Sequence, residues 1–234
     1  TAELVARIER TGLARIVDHR RLTLPQLGAP GVAAHQVRRL TGFRVKYGPV
    51  RAADLPAYLA AGDATPAMRR VTFTLRERLV LIPIELVHTF PPMVIAAIVL
   101  YALAGWPGVW GALAAVLAGT ALFPLLLPWL PGRAFSAKGM ALGALAGLPV
   151  ALAVLNGAAP AAQRIVLAAA LWLGVVAATA YLALNFTGST PITSKTGVQR
   201  EMLRYLRPIV AIAAIAAMGV LGILGVAIAR WIGG

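Results

Sequence analysis

Two short stretches carry residue types that could hold a ligand. Residues 25–31 read Pro-Gln-Leu-Gly-Ala-Pro-Gly and residues 47–51 read Tyr-Gly-Pro-Val-Arg, each setting glycine close to proline with a polar side chain at hand. Glycine lets backbone approach a ligand closely, and a helix opening near Gly31 would offer unbonded N–H groups to a phosphate. Ordinary turns would also account for these glycines and prolines. The remaining candidates are ionisable. His19, His35 and His88 are scattered, and the absence of cysteine removes thiolate metal sites, iron–sulfur ligation and a cysteine nucleophile from these residues. Glu85 and His88 stand three apart, on one face if the segment is helical. An ionisable pair in an apolar segment is a functional candidate. Six residues past Leu79 is only about 9 Å of helix rise, however, which favours an interfacial anchor paired with Arg76 or Arg78.

The elements around the two loops alternate. A helix over 2–11 leads to an apolar stretch at 14–17 and a β-prone run at 21–27. A helix follows over 32–40, then a strand over 43–47 and a helix over 52–61. Strands alternating with helices imply βαβ units and a parallel sheet, in which ligands bind at the carboxyl ends of the strands. Both loops fall there. Residues 1–66 are therefore expected to form an α/β domain, joined by a basic juxtamembrane linker at 67–78 to the rest of the chain.

That remainder is apolar. Of 234 residues, 59% are hydrophobic and 13% charged, where soluble domains carry about 25% charged. Residues 1–78 hold fourteen of the 22 Lys and Arg and six of the eight Asp and Glu, whereas 89–132, 139–163, 165–194 and 208–229 are free of charge. A span needs about 20 apolar residues, and five are expected: about 79–104, 108–130, 139–156, 162–184 and 209–231. With the N-terminal region cytoplasmic and the C-terminus outside, twenty of the 22 basic residues lie inside and only Arg164 and Arg230 outside, a positive-inside pattern. Trp106, Trp110, Trp129 and Trp231 sit where interfacial aromatics belong. The basic excess, including Arg69, Arg70, Arg76 and Arg78, faces anionic lipid headgroups, and no nucleic-acid partner is expected. Gly139, Gly143 and Gly147 form a ridge for close helix packing, and Pro91-Pro92 should kink the first span. Thr196 and Gln199 read as the capping box of a short helix carrying Val198, Met202 and Leu206.

Two longer motifs carry a resemblance. HRRLTLPQLGAPGVAAHQVRRLTGFRVKYGPVRAADLPAYL (residues 19–59) and NFTGSTPITSKTGVQREM (residues 185–202) resemble segments of the corrinoid iron–sulfur protein large subunit of the acetyl-CoA pathway. They also resemble the mercury-methylating corrinoid membrane proteins, the HgcA family. The five expected spans select the second. The resemblance implies an incomplete α/β Rossmann-like corrinoid-binding domain followed by a five-helix transmembrane domain in the inner cell membrane. It implies methyl transfer to inorganic mercury(II), giving methylmercury, with the methyl carried on the cobalt of a cobalamin-like corrinoid. It further implies a ferredoxin-type iron–sulfur partner and a methyl donor acting through a methyltetrahydrofolate-dependent methyltransferase.

Residue by residue, the resemblance implies that Gln26, Gly28, Ala29, Gly31, Val32 and Ala33 line the corrinoid's nucleotide tail and ring edge. Gly48, Pro49, Val50 and Arg51 would close the neighbouring side, with Arg51 meeting a phosphate or a propionamide oxygen. Asn185, Thr187, Gly188, Ser189 and Thr190 would form a loop docking the soluble domain. The cobalamin-binding Asp-x-His-x-x-Gly pattern is not met at His19, where Asp18 precedes it directly. The family holds cobalt from below by the cysteine of an Asn-Val-Trp-Cys-Ala-Ala-Gly-Lys motif, placed just upstream of a segment like residues 1–13. The motif is absent here, so the chain reads as a fragment inactive alone. A membrane-attached corrinoid methyl carrier of one-carbon or acetyl-CoA metabolism is an alternative. So is a small transporter with a cytosolic regulatory domain, against which stands the scarcity of intramembrane charge.

Overall fold

The computed structural model describes residues 1–72, 74–188 and 195–233. It divides into two compact units, Thr1–Thr72 and Phe73–Gly234.

The first unit is a single parallel βαβ with helices added at both ends. Helix α1 (Ala2–Arg10) and a short turn of helix, α2 (Leu13–Ile16), precede β1 (Arg21–Leu24). A 3-10 turn at Gln26–Gly28 leads to α3 (Ala34–Thr41), and β2 (Arg44–Tyr47) follows. A second 3-10 turn opens α4 (Leu55–Ala61). Strands β1 and β2 pair in parallel with Arg21 opposite Arg44 and Leu24 opposite Tyr47. Leu22 and Val45 turn to one face and pack with the buried Val5, Ile8, Val37 and Phe43. On the other face Tyr58 of α4, 3% exposed, takes the Lys46 ammonium 5.8 Å from its ring centroid. Two strands make a small sheet, so the wider sheet of a doubly wound domain is not present among the described residues.

The second unit is helical, and five of its helices are long and apolar enough to cross a membrane. Helix α5 (Leu75–Ala104) opens on a capping box, with the Thr74 N–H donating to Glu77 Oε2 at 2.6 Å. The expected linker at 67–78 is thus divided. Residues through Thr72 belong to the first unit, where the Val50 N–H donates to Met68 O at 2.9 Å, and Leu75 already starts the first span. Pro83, Pro91 and Pro92 all lie inside this one helix. Gly105, at φ 65° and ψ −154°, is a conformation only glycine adopts without strain, and it turns the chain at once into α6 (Trp106–Leu126). The middle of α6, Leu117–Leu122, is π-helical. Pro124 gives the reason: in regular α-helix its ring would meet the Thr120 carbonyl, and the wider turn relieves that clash.

Helix α7 (Phe135–Leu155) begins earlier than its expected start at 139, and α8 (Ala161–Leu184) fits expectation. Helix α9 (Lys195–Gly233) runs as one piece, so the short inner helix and the fifth span are continuous and Thr196 lies within the helix, not before it. The glycine ridge packs as expected. A Cβ on Gly139 would meet Ala183 Cβ at 2.6 Å, on Gly143 Val176 Cα at 2.9 Å, and on Gly147 Trp172 Cδ1 at 2.9 Å. Helices α7 and α8 therefore touch backbone to backbone, and the Trp172 Nε1–H donates to Ala144 O at 2.9 Å across the seam. Trp106, Trp110 and Trp129 are exposed at helix ends, as interfacial rings should be, while the side chain of Trp231 lies outside the described set.

Charges tie off one end of this bundle. Arg78 Nη1 and Lys138 Nζ donate to Leu125 O and Leu127 O at 3.4 and 2.9 Å, where α6 runs out of intrahelical donors. Glu201 Oε1 accepts the Ser136 N–H at 3.0 Å and its hydroxyl at 3.3 Å, placing a carboxylate on the α7 N-terminus.

Candidate functional site

The parallel pairing of β1 and β2 brings the two glycine-containing loops side by side. The Gly48 N–H donates to Leu24 O at 2.8 Å and the Gln26 N–H to Pro49 O at 3.4 Å. Residues 25–31 form a run of tight turns, with Gly28 N–H to Pro25 O at 2.9 Å and Gly31 N–H to Gly28 O at 3.1 Å. Tyr47 pins the far end of that loop: its hydroxyl donates to Val32 O at 2.6 Å. Thr1 pins it again, donating from its nitrogen to Gly31 O at 3.0 Å and accepting the Ala33 N–H at 2.9 Å. Neither Tyr47 nor Thr1 is marked by sequence as a loop clamp. A tyrosine ending a strand whose neighbour opens a glycine loop is the only available signal.

The glycines of the two loops do different work. A Cβ on Gly28 would meet nothing within 4 Å, and one on Gly31 only Gly28 O at 3.7 Å. Gly48 is the reverse. Its Cβ would sit 2.9 Å from Thr23 Cγ2 and 3.5 Å from Tyr58 Cε1, so Gly48 is small because Thr23 of the neighbouring strand stands against it, with Tyr58 of α4 in ordinary contact behind. Gly48 and Pro49 are buried and brace the loop from behind. Val50 is half-buried, its N–H committed to Met68.

Gln26 is the chemically exposed feature in energy terms: its Oε1 is buried and accepts no hydrogen bond among the described residues. A buried acceptor without a donor costs about 1–3 kcal/mol. Helix α3 starts at Ala34, later than expected, and leaves Val32 and Ala33 in the connecting turn. Its N-terminus is partly used, since the Ala33 N–H goes to Thr1. Arg51 is exposed, and its guanidinium donates to Thr72 Oγ1, so the side chain is not held in reserve for an anion.

The ionisable candidates stay apart. His19 lies at the amino end of β1, away from the loops, and its Nδ1 accepts the Arg21 N–H at 3.4 Å. His35 and His88 are exposed on α3 and α5. Glu85 is half-buried and forms no ion pair among the described residues; Arg78, its expected partner, reaches Leu125 O instead. No cluster of three His, Cys, Asp or Glu forms among the described residues. Asp63, outside the loops, has its carboxyl held below the usual range by the Ala64 N–H (2.8 Å) and then by Lys46 (3.5 Å).

Of the expected docking loop, Asn185, Thr187 and Gly188 form a 3-10 turn that continues α8; Ser189 and Thr190 lie outside the described residues. Phe186 anchors this turn within the second unit, 5% exposed with its ring 5.4 Å from that of Phe123. Comparison of the chain with protein families, with curated proteins and with solved structures finds no match.

Proposed function

We propose that the first unit is part of a Rossmann-like corrinoid-binding domain, and that the protein transfers a methyl group to inorganic mercury(II). In this reading it sits in the inner cell membrane with the first unit cytoplasmic and the C-terminal end outside. Twenty of the 22 basic residues then share one side, which supports the orientation. The observation that carries the ligand reading is the adjacency of the two motif loops at the strand ends, with Gln26 Oε1 buried there and lacking a donor.

The residues fit the group in two respects. A corrinoid rim bears amides, and an amide N–H is the donor that Gln26 Oε1 lacks. Gly28 leaves open space where a side chain would otherwise stand. Gln26, Gly28, Ala29, Gly31, Val32 and Ala33 would hold the group, with Val50 and Arg51 at its flank. When bound, the corrinoid supplies a cobalt centre able to pass a methyl group to a soft metal ion. The chain's own part is binding and orientation: Tyr47 and Thr1 fix the loop, and Gly48 and Pro49 keep the two loops in register. The chain holds no cysteine, so no thiolate from these residues faces the cobalt, and methylation by them alone is not expected. A ferredoxin-type reductant and a methyltetrahydrofolate-dependent methyltransferase remain the partners of this proposal.

The test is cofactor retention. Mixed with hydroxocobalamin and passed through gel filtration, the chain should keep the cofactor's visible absorbance. Gly28→Leu and Gln26→Leu should each lower retention by roughly tenfold, a loss of about 1.4 kcal/mol, with the far-ultraviolet circular dichroism unchanged. A colourless wild-type preparation overturns the reading. If colour is retained, methylmercury formation from mercury(II) by a longer polypeptide that includes the cysteine motif separates mercury chemistry from a methyl carrier of carbon metabolism.

A further inference from the structure

Helices α5, α6, α8 and α9 line a half-open groove of about 560 Å³ within the second unit. Its lining runs from Thr89 to Leu103 on α5, from Ala170 to Leu182 on α8 and from Ala213 to Leu221 on α9. No charged residue takes part, and Thr89 and Tyr181 supply the only side-chain hydroxyls. The groove exists because α5 packs on α6, where a Cβ on Gly108 would meet Leu100 O, and stands off from α8: α5 has no buried residue along its length, whereas α8 has ten. Small side chains on the facing helices, Ala112, Gly174, Ala178 and Ala213 among them, do not reach across.

We propose that this slot holds an acyl chain of a bilayer lipid. The groove is half-open, with Ala96, Ala178 and Ala213 exposed along it, so what fills it comes from the medium beside it. Water needs two to four polar partners, which this lining lacks. The helices around the slot are long and apolar enough to cross a membrane, so the medium beside it is hydrocarbon. Shape selects the occupant further. The fourteen steps from Thr89 to Leu103 are about 21 Å of rise, parallel to the helices, and one leaflet of hydrocarbon is about 15 Å deep. A compact polar solute finds no group to orient it. The occupant lies in the groove between α5 and α8, bordered by α9. This inference rests on the membrane-spanning helices and is independent of the ligand reading of the first unit.

The full chain is placed in vesicles of phosphatidylethanolamine and phosphatidylglycerol containing a phospholipid with a diazirine at mid-chain. After illumination, label should appear on slot residues such as Met93, Ala96 and Ala213. Ala178→Phe should lower that labelling by roughly tenfold, the consequence of displacing about two methylenes from the slot. Ala214→Phe, on an exposed position outside the slot, should leave it unchanged. Ala213→Phe serves as the filler if Ala178→Phe does not fold. Labelling indifferent to both fillers overturns the proposal. The chain has no cysteine, so Ala213→Cys adds two independent checks. Modification by a charged, membrane-impermeant thiol reagent would mean a watery path, and disulfide-linked dimers would mean a second copy; either result overturns it.

Discussion

Gly28 and Gly143 are the same residue in opposite circumstances. Gly143 lacks a side chain because the next helix occupies the place: Val176 Cα and Thr179 Cβ would each lie 2.9 Å from its Cβ. Gly28 lacks one with nothing within 4 Å. Along the α7–α8 seam, glycine stands where backbones meet and packing accounts for it, whereas Gly222 and Gly225 of α9 also have nothing within 4 Å. In the first unit, packing gives no account of Gly28, and a missing side chain facing open space is what a ligand loop requires. Gly48 lies in the first unit but behaves like the seam glycines, which shows that a glycine's place in a motif does not decide which use it serves.

Breaking the packed case should have the largest effect. Gly143→Leu forces a side chain against the α8 backbone, which cannot yield as a flexible side chain can. It should cost about 3 kcal/mol, the upper end for overpacking, and appear as a large drop in melting temperature and loss of monodispersity in detergent. Gly48→Ala is milder. The new Cβ presses on Thr23 Cγ2, a stiff β-branched side chain on an exposed strand face. Its cost should be about 1 kcal/mol, read as a lowered denaturant midpoint for the first unit. The contrast sharpens because Gly28→Leu should change neither midpoint by more than about 0.5 kcal/mol while impairing cofactor retention. If Gly28→Leu destabilised the first unit as Gly48→Ala does, Gly28 would be a packing residue too, and the case for an open loop would fail.

What the sequence made legible follows the strength of each physical signal. Long charge-free runs identify five spans because nothing else explains them, and the glycine ridge at 139, 143 and 147 gives the α7–α8 seam directly. Span ends were harder to read. Lys138 lies inside α7 because its ammonium reaches Leu127 O, and Arg78 lies inside α5 because it reaches Leu125 O; a charge near a span end does not mark where the helix starts. The alternation at 21–47 was enough to find a parallel βαβ. It could not separate Gly28 from Gly48, because that difference arises from Thr23 on the neighbouring strand, twenty-five residues from Gly48 in the chain. Nor could it show that Gln26 Oε1 is left without a donor, since burial of one atom depends on how both loops close together. The apolar slot beside α5 is invisible in one dimension: every span is apolar, and only the way α5 stands off from α8 makes a groove.

The smallest expected effect lies in the first unit and comes from charge, not volume. Asp63 accepts the Ala64 N–H and sits beside Lys46 and Arg69, so its folded carboxyl titrates below its ordinary value of 3.8. A lowered pKa stabilises the folded unit above the unfolded value, and this contribution fades as pH falls from about 5 through the folded pKa. The group is exposed and screened by salt, so the change should be slight. Asp63→Asn keeps an oxygen for the Ala64 N–H and removes only the charge. At pH 7 and low salt its first-unit denaturant midpoint should lie a little below wild type, and the two should converge as the pH is lowered past 3.8. Asp63 belongs to the first unit, so amide exchange in the second should not distinguish the two proteins at any pH in this range. A difference that persisted at low pH would trace the effect to the lost backbone geometry of the 63–64 turn and not to the charge.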